Sequence, residues 1–100
     1  MVKQVNANND DILALDIGGE KTIKVSRSVL TRVKDTALEA MFSGRHTLKK
    51  DKGKIFVDRD ADVFCMIISF LRNGLIYPEI EDKNLQKRFN IELEYWGMPT

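Results

Sequence analysis

The segment 61–72, ADVFCMIISFLR, has the widest apolar surface of the helices that this sequence predicts. At 3.6 residues per turn its apolar side chains cover an arc of roughly 200°, whereas an ordinary surface helix shows a stripe of about 100°. The apolar set is Val63, Phe64, Met66, Ile67, Ile68, Phe70 and Leu71. The polar set is Asp62, Cys65, Ser69 and Arg72. We therefore expect this helix to be buried from two sides, to form the centre of the fold and to favour a protein partner.

Three short apolar segments predict strands. Ile12–Ile17 is apolar on both faces, which is typical of a covered strand in the interior of a sheet. Residues 22–26 alternate between apolar and polar, and the tight turn predicted at 18–21 makes these two strands a hairpin. Lys54–Val57 predicts the third strand.

Capping residues predict four further helices around these elements. Ser28 is expected to cap a short helix over 29–32, and Thr36 with Glu39 forms a capping-box pattern before the next one. On that second helix one face is expected to hold Leu38, Met41 and Phe42. The residues expected to cap the remaining helices, the long one included, are Asp60, Asp82 and Asn90.

Asn90 is expected to start a separate final helix over 91–96. In its first turn Glu92 would be favoured by the helix dipole. Strands followed mainly by helices predict an α+β fold, with a small, mostly three-stranded sheet packed against a cluster of short helices.

The length of 100 residues predicts one domain, which we place at 11–100 after a disordered lead-in over 1–10. The chain ends just after its last predicted element, so we expect it to be a domain of a longer protein. With 16 basic and 15 acidic residues, composition gives no general attraction to nucleic acid or to an anionic membrane. No segment resembles a signal peptide or could insert into a membrane. We expect a cytoplasmic location, or the cytoplasmic face of a membrane if the chain is part of a channel.

Candidate catalytic and metal-binding residues are few. His46 and Cys65 are the only strong soft ligands in the sequence, whereas a structural zinc site needs four. Gly18 and Gly19 lack the spacing of a phosphate-binding loop, so a hairpin turn is favoured. The single histidine has no acid at motif spacing and no nucleophile elbow occurs. We expect no catalysis, no cofactor, no metal and no small-molecule substrate.

Two charged segments each allow two interpretations. The basic segment 45–54 is favoured as a solvated loop, because Asp51 interrupts it and no aromatic residue is available for base stacking; nucleic-acid binding is the less favoured alternative. The turn 58–60, Asp-Arg-Asp, caps a helix, and its alternating charges also suit a boundary between subunits. Exposed ion pairs contribute only about 0–1 kcal/mol, so stability alone is a weak reason for this arrangement.

Four segments together resemble the channel-type tetramerisation branch of the BTB/POZ family. They are LDIGGEKTIKVSRSVLTR (15–32), AMFSGRH (40–46), KIFVDRDADVFCMIISFLRNG (54–74) and LEYWGMP (93–99). The resemblance implies a compact BTB domain that assembles into rings, usually homo-tetramers or homo-pentamers. It also implies one of two roles: a soluble KCTD-like adaptor, many of which recruit a cullin E3 ubiquitin ligase, or the cytoplasmic assembly domain of a voltage-gated potassium channel. AMFSGRH favours the adaptor, and LEYWGMP resembles the channel domains at least as closely.

The resemblance also suggests where partners bind, and it has two departures. The interface candidates are Asp58, Arg59, Asp60 and Arg72. The candidates for contact with a cullin or another partner are Met41, Phe42, Ser43, Arg45 and His46. The interfacial zinc of some channel subfamilies is not expected, since the C-terminal part of this chain has no cysteine. The cullin-binding signature of a hydrophobic residue followed two positions later by an acid has no acid at 46–48, which weakens the cullin inference.

Overall fold

The computed structural model describes residues 11–45 and 47–99 of the chain. The predicted disordered lead-in over 1–10 and His46 lie outside the described residues. The strands are β1 (Ile12–Ile17), β2 (Lys21–Ser26), β3 (Lys50–Asp51) and β4 (Lys54–Val57). The helices are α1 (Arg27–Leu30), α2 (Ala37–Phe42), α3 (Ala61–Arg72) and α4 (Lys83–Trp96).

The strands form one sheet in the order β2-β1-β4-β3. β1 pairs antiparallel with β2 and parallel with β4, which confirms its predicted interior position. The expected α+β architecture is confirmed, with one addition: β3 pairs antiparallel with β4 inside the segment predicted as a charged loop. This strand has only two residues, both charged and exposed, so no apolar pattern indicated it.

The predicted hairpin turn between β1 and β2 is confirmed, and it packs against the start of α3. Gly18 and Gly19 have φ values of 61° and 74°, in the left-handed region that glycine adopts without strain. The Gly18 amide donates to the carbonyl of Val57 at 2.8 Å. A β carbon on Gly18 would lie 2.8 Å from the carbonyl oxygen of Arg59. Glycine at this position therefore lets two turns of the chain approach each other closely.

α3 lies at the centre of the hydrophobic core, as its wide apolar arc predicted. Six of the seven predicted apolar residues are buried, and Met66 is half-buried. The helix contacts α1 and α4. Its N-terminus is capped by Asp60, whose carboxylate accepts from the amide of Asp62 at 3.1 Å. The Thr36 half of the predicted capping box is also confirmed, because its hydroxyl accepts from the Glu39 amide at 3.1 Å.

Two helix boundaries differ from the predictions. α1 begins at Arg27 rather than after Ser28, because the Arg27 amide donates to the carbonyl of Asp11 at 2.8 Å and the chain turns into the helix directly after β2. α4 is one continuous helix of 14 residues, so the prediction of a separate helix over 91–96 was wrong. Asn90 lies inside it and accepts from the Gln86 side chain at 2.9 Å instead of capping.

Candidate functional site

The turn between β4 and α3 consists of Asp58, Arg59 and Asp60, and we name it the charged turn. The Arg59 amide donates to the carbonyl of Val57 at 2.9 Å, which folds the chain back at the end of β4. The turn lies next to Gly18 of the hairpin described above. Its backbone is therefore fixed by the sheet, and its three side chains project from a defined position.

Arg59 is held by a carboxylate from α4. Its Nε and Nη2 atoms donate to the Glu92 side chain, with Nη2 to Oε1 at 2.7 Å and Nε to Oε2 at 3.1 Å. The Glu92 side chain is only 1% exposed, and it also accepts from the indole Nε1 of Trp96 at 2.8 Å. The hydrogen bonds that Arg59 donates to Glu92 are the main cause that raises the pKa of Arg59; burial opposes this rise, and the Glu92 charge adds to it. These charge-assisted hydrogen bonds link the charged turn to α4.

An exposed aromatic residue covers the other side of the same guanidinium. The Arg59 Cζ atom lies 3.6 Å from the centroid of the Tyr95 ring, which is a cation–π contact. Tyr95 is 55% exposed and Ile91 is 61% exposed. Because residues four apart lie on one face of a helix, these two form an exposed apolar edge beside the charged turn.

Asp60 caps α3 and also pairs with α4. Arg88 donates to its carboxylate through Nε at 2.9 Å and through Nη2 at 2.8 Å. Partial burial is the largest single influence on Asp60 and favours its neutral form. The hydrogen bonds and charge of Arg88, together with the amides of Asp62 and Val63, outweigh it and lower the pKa of Asp60. Both Arg59 and Asp60 therefore have partners within the chain.

Asp58 differs from its two neighbours in the charged turn. It is exposed, and it makes no hydrogen bond or ion pair with any residue in 11–45 or 47–99. Arg72 lies at the opposite end of α3, about 18 Å from Asp60 at 1.5 Å per residue, and donates to the carbonyl of Lys24 at 2.8 Å. The structure thus brings Asp58, Arg59 and Asp60 together and separates Arg72 from them. Their role between subunits stays a prediction.

The residues predicted to contact a cullin or another partner lie at and after the end of α2. Phe42 is fully buried, so its side chain belongs to the core of this chain. Met41 and Ser43 are half-buried, and Arg45 is exposed. His46 lies outside the described residues. Arg45 is therefore the described member of this set that is most available to a partner.

Glu92 is the site residue that the sequence interpretation missed. It was assigned to the first turn of a separate helix, whereas it lies in the middle of α4 among the buried residues Phe89, Leu93 and Trp96. At 100° per residue those three positions and Glu92 fall on one face. An acid within an apolar helix face was the available signal, since a buried carboxylate needs a charged or hydrogen-bonding partner.

Neither a metal-binding cluster nor a membrane span is found in the part of the chain that the structure describes. Among those residues, no three or more His, Cys, Asp or Glu side chains are placed to hold a metal ion. Across the described ranges 11–45 and 47–99, the helices are all too short or too polar to cross a bilayer.

Comparison with known proteins identifies relatives. A family model described as a BTB/POZ domain matches residues 13–100. The chain is 34% identical over 97 residues to FH protein interacting protein FIP2 of Arabidopsis thaliana, a match that covers 95% of this chain and 32% of that protein. It is 41% identical over 69 residues to SH3KBP1-binding protein 1 of Bos taurus, covering 68% of this chain and 10% of that protein.

A third relative is BTB/POZ domain-containing protein KCTD18 of Bos taurus, which is 36% identical over 90 residues, covering 89% of this chain and 21% of that protein. The chain thus spans between 10% and 32% of the lengths of these relatives. A match over residues 13–100 begins at the second residue of β1 and includes every other strand and helix described above. The chain therefore belongs to the BTB/POZ family, in its potassium-channel tetramerisation type, a family of protein-interaction domains.

Proposed function

We propose that this domain assembles with copies of itself through the charged turn and the neighbouring face of α4, and that it acts as the assembly module of a KCTD-like adaptor. The proposal is supported by a difference between the three residues of the charged turn. Arg59 and Asp60 are fixed by Glu92 and Arg88, while Asp58 is exposed without a described partner. A surface held in one conformation loses little entropy on association, which favours binding.

The surface combines the two features that a specific contact needs. Tyr95 and Ile91 supply exposed apolar area, and the stacked guanidinium of Arg59 supplies a fixed positive charge beside it. Aromatic residues and arginine are enriched at the energetic centres of interfaces. The exposed carboxylate of Asp58 adds a charge that can fix the register between subunits.

Assembly gives such a module its function by raising local concentration. Several copies held together present several attached segments at once, so weak contacts to a multivalent partner become strong. Two relatives have names that describe binding to other proteins, an FH protein in one and SH3KBP1 in the other. We place the module in the cytoplasm. A channel would differ from an adaptor in the segments joined to this domain, and the same self-contact would serve either protein.

Mass measurement tests the proposal directly. Native mass spectrometry of the purified domain is expected to show a homo-oligomer, and Asp58→Lys is expected to shift it toward the monomer. Glu79→Lys makes the same charge change at another exposed position and is expected to leave the mass unchanged. A folded domain that stays monomeric at high concentration would overturn the proposal. Asp58 is a cleaner position than Arg59 or Asp60, because those two also hold the fold together.

For the adaptor role we place the cullin contact at the exposed Arg45 and its neighbours after α2. Binding of the domain to an immobilised cullin scaffold, measured by interferometry, is expected to weaken in Arg45→Glu. The matched control is Lys34→Glu, another exposed charge reversal outside this segment. Absence of binding by the unmodified domain would remove the cullin role and leave self-assembly standing.

A further inference from the structure

Exposed lysines without partners are clustered at the β3–β4 hairpin. We name Lys49, Lys50 and Lys52 the lysine hairpin; all three are exposed. None of them forms an ion pair with another residue in the described part of the chain. The neighbouring Lys54 differs, because its Nζ atom donates to the hydroxyl of Thr22 at 3.4 Å. Asp51 is the single acid within the segment 49–54, so the hairpin has a clear excess of positive charge.

Unpaired carboxylates lie at the opposite end of the same strand. Asp58 follows β4, and Glu20 lies in the β1–β2 turn beside it; both are exposed and neither has an ion-pair partner among the residues described. Four residues of extended chain separate Lys54 from Asp58, which is about 13 Å at 3.3 Å per residue. The Lys54–Asp58 spacing places the hairpin and the two carboxylates at opposite ends of β4, so we expect them to stay apart within one chain.

The hairpin presents its lysines from a defined turn. Lys52 and Gly53 have φ values of 55° and 80°, and positive values at both central residues are typical of a two-residue type I′ turn. β3 is held in register with β4 by the pairing of Lys50 with Ile55 and of Asp51 with Lys54. The positive charges are thus positioned by backbone hydrogen bonds.

We propose that the lysine hairpin of one copy contacts Asp58 and Glu20 of the next copy. The occupant is a second copy because the chain itself supplies the complementary charge, at a surface that the proposed function already assigns to self-association; the inference rests on that function. The two surfaces are different, so the contact is head-to-tail. Contacts of this kind produce rings when the rotation between copies closes.

A charge-reversal cycle tests the pairing. The variants are Asp58→Lys, the double variant Lys50→Glu/Lys52→Glu, and their combination, with association measured by sedimentation at low salt. Each reversal alone is expected to weaken association by about tenfold or more, since close interfacial charge pairs couple at this level. The combination is expected to recover most of that loss. The control Lys24→Glu/Lys34→Glu reverses two exposed lysines outside both surfaces and is expected to have little effect.

Cross-linking supplies an independent readout. Isotopically light and heavy copies are mixed and treated with a zero-length carbodiimide, which joins lysines to carboxylates in direct contact. Mixed-isotope peptides linking 49–52 to Asp58 or Glu20 are expected. The absence of these peptides would overturn the inference. A combined variant that associates no more strongly than the single charge-reversal variants would also overturn it. So would lysine-hairpin variants that lose oligonucleotide binding but assemble normally.

The two proposals can fail separately. If the unmodified chain is a monomer, self-assembly and this pairing both fall. If it assembles, Asp58→Lys weakens association and the reversal of Lys50 and Lys52 leaves association unchanged, only the pairing falls. Every position changed is exposed, so circular dichroism is expected to show the same fold in all variants.

Discussion

Glu92 on α4 and Arg59 in the charged turn form a bidentate ion pair in which the carboxylate is almost completely buried. The same carboxylate accepts from the indole of Trp96, whose ring packs edge-on against Phe64 of α3. One side chain therefore links the charged turn, α4 and the core. A buried charge is tolerated when it is paired and its hydrogen bonds are satisfied, and both conditions hold for Glu92.

Replacing Glu92 by Ala is expected to destabilise the domain strongly. The change leaves the Arg59 guanidinium and the Trp96 indole without their acceptor, and removing one partner of a buried pair costs about 3 kcal/mol or more. Urea unfolding followed by the fluorescence of Trp96, the single tryptophan, measures the loss at a fixed protein concentration. Glu94→Ala on the same helix is the control; that residue is exposed, and its change is expected to stay within about 0.5 kcal/mol. Equal effects of the two substitutions would contradict the role given to Glu92.

Gly18 and Gly19 offer a comparison that separates steric contact from backbone strain. Both have positive φ, so alanine at either position carries a strain of about 1–2 kcal/mol. Only at Gly18 does the added carbon meet backbone, the carbonyl of Arg59 at 2.8 Å; at Gly19 nothing lies within 4 Å. Gly18→Ala is therefore expected to lower the free energy of unfolding more than Gly19→Ala, measured by urea titration. The reverse order would show that the two turns are not in close contact.

The elements with a clear apolar pattern could be predicted from the sequence. β1, β2 and β4, the wide apolar arc of α3 and the caps at Thr36, Asp60 and Asp82 follow from local rules, and the structure confirms them. These predictions succeed because burial and capping depend on residues close together in the chain. The hairpin turn at Gly18 is of the same kind.

The remaining features depend on contacts distant in sequence. Asn90 has the chemistry of a cap, and only the continuity of α4 shows that it instead accepts from Gln86. Glu92 and Arg59 pair across 33 positions, so no local rule joins them. β3 contains no apolar residue, and it forms a strand because it pairs with the edge of β4. The charged turn was recognised as a candidate contact surface, but which of its charges remain free could be learned only from the structure.

The lowered pKa of Asp60 predicts a loss of stability in acid. Its pKa is lower in the folded chain than the ordinary value near 3.8, so below about pH 5 the unfolded chain binds the proton more readily. The stabilisation that Asp60 contributes is present at pH values above its ordinary pKa. It is lost as the pH falls through the lower pKa that Asp60 has in the folded chain. Asp60→Asn keeps a good capping residue and removes this titration. The free energy of unfolding of the variant is therefore expected to fall less steeply between about pH 5 and pH 2.

Arg88→Gln is the companion to that measurement. It removes the cation that lowers the pKa of Asp60, so the free energy of unfolding should again fall less steeply between about pH 5 and pH 2. The double variant should show the same pH dependence as either single variant. At neutral pH each change is expected to have only a small effect on the free energy of unfolding, because the pair is solvent-exposed. Additive effects of the two substitutions in acid would exclude Arg88 as the cause.

Two exposed isoleucines distinguish the proposed assembly surface from the rest of the molecule. Ile91 is 61% exposed and lies between Arg88 and Tyr95 on the face of α4 beside the charged turn, while Ile76 is 69% exposed in the segment between α3 and α4. Ile91→Glu is expected to weaken self-association about tenfold or more, since it would place an unpaired carboxylate in an apolar contact. Ile76→Glu makes the same change on a comparably exposed side chain and is expected to leave association unaltered. Sedimentation equilibrium gives both constants, and thermal unfolding shows whether the fold is kept. Weakening by Ile76→Glu alone would move the assembly surface to the α3–α4 segment and away from the charged turn.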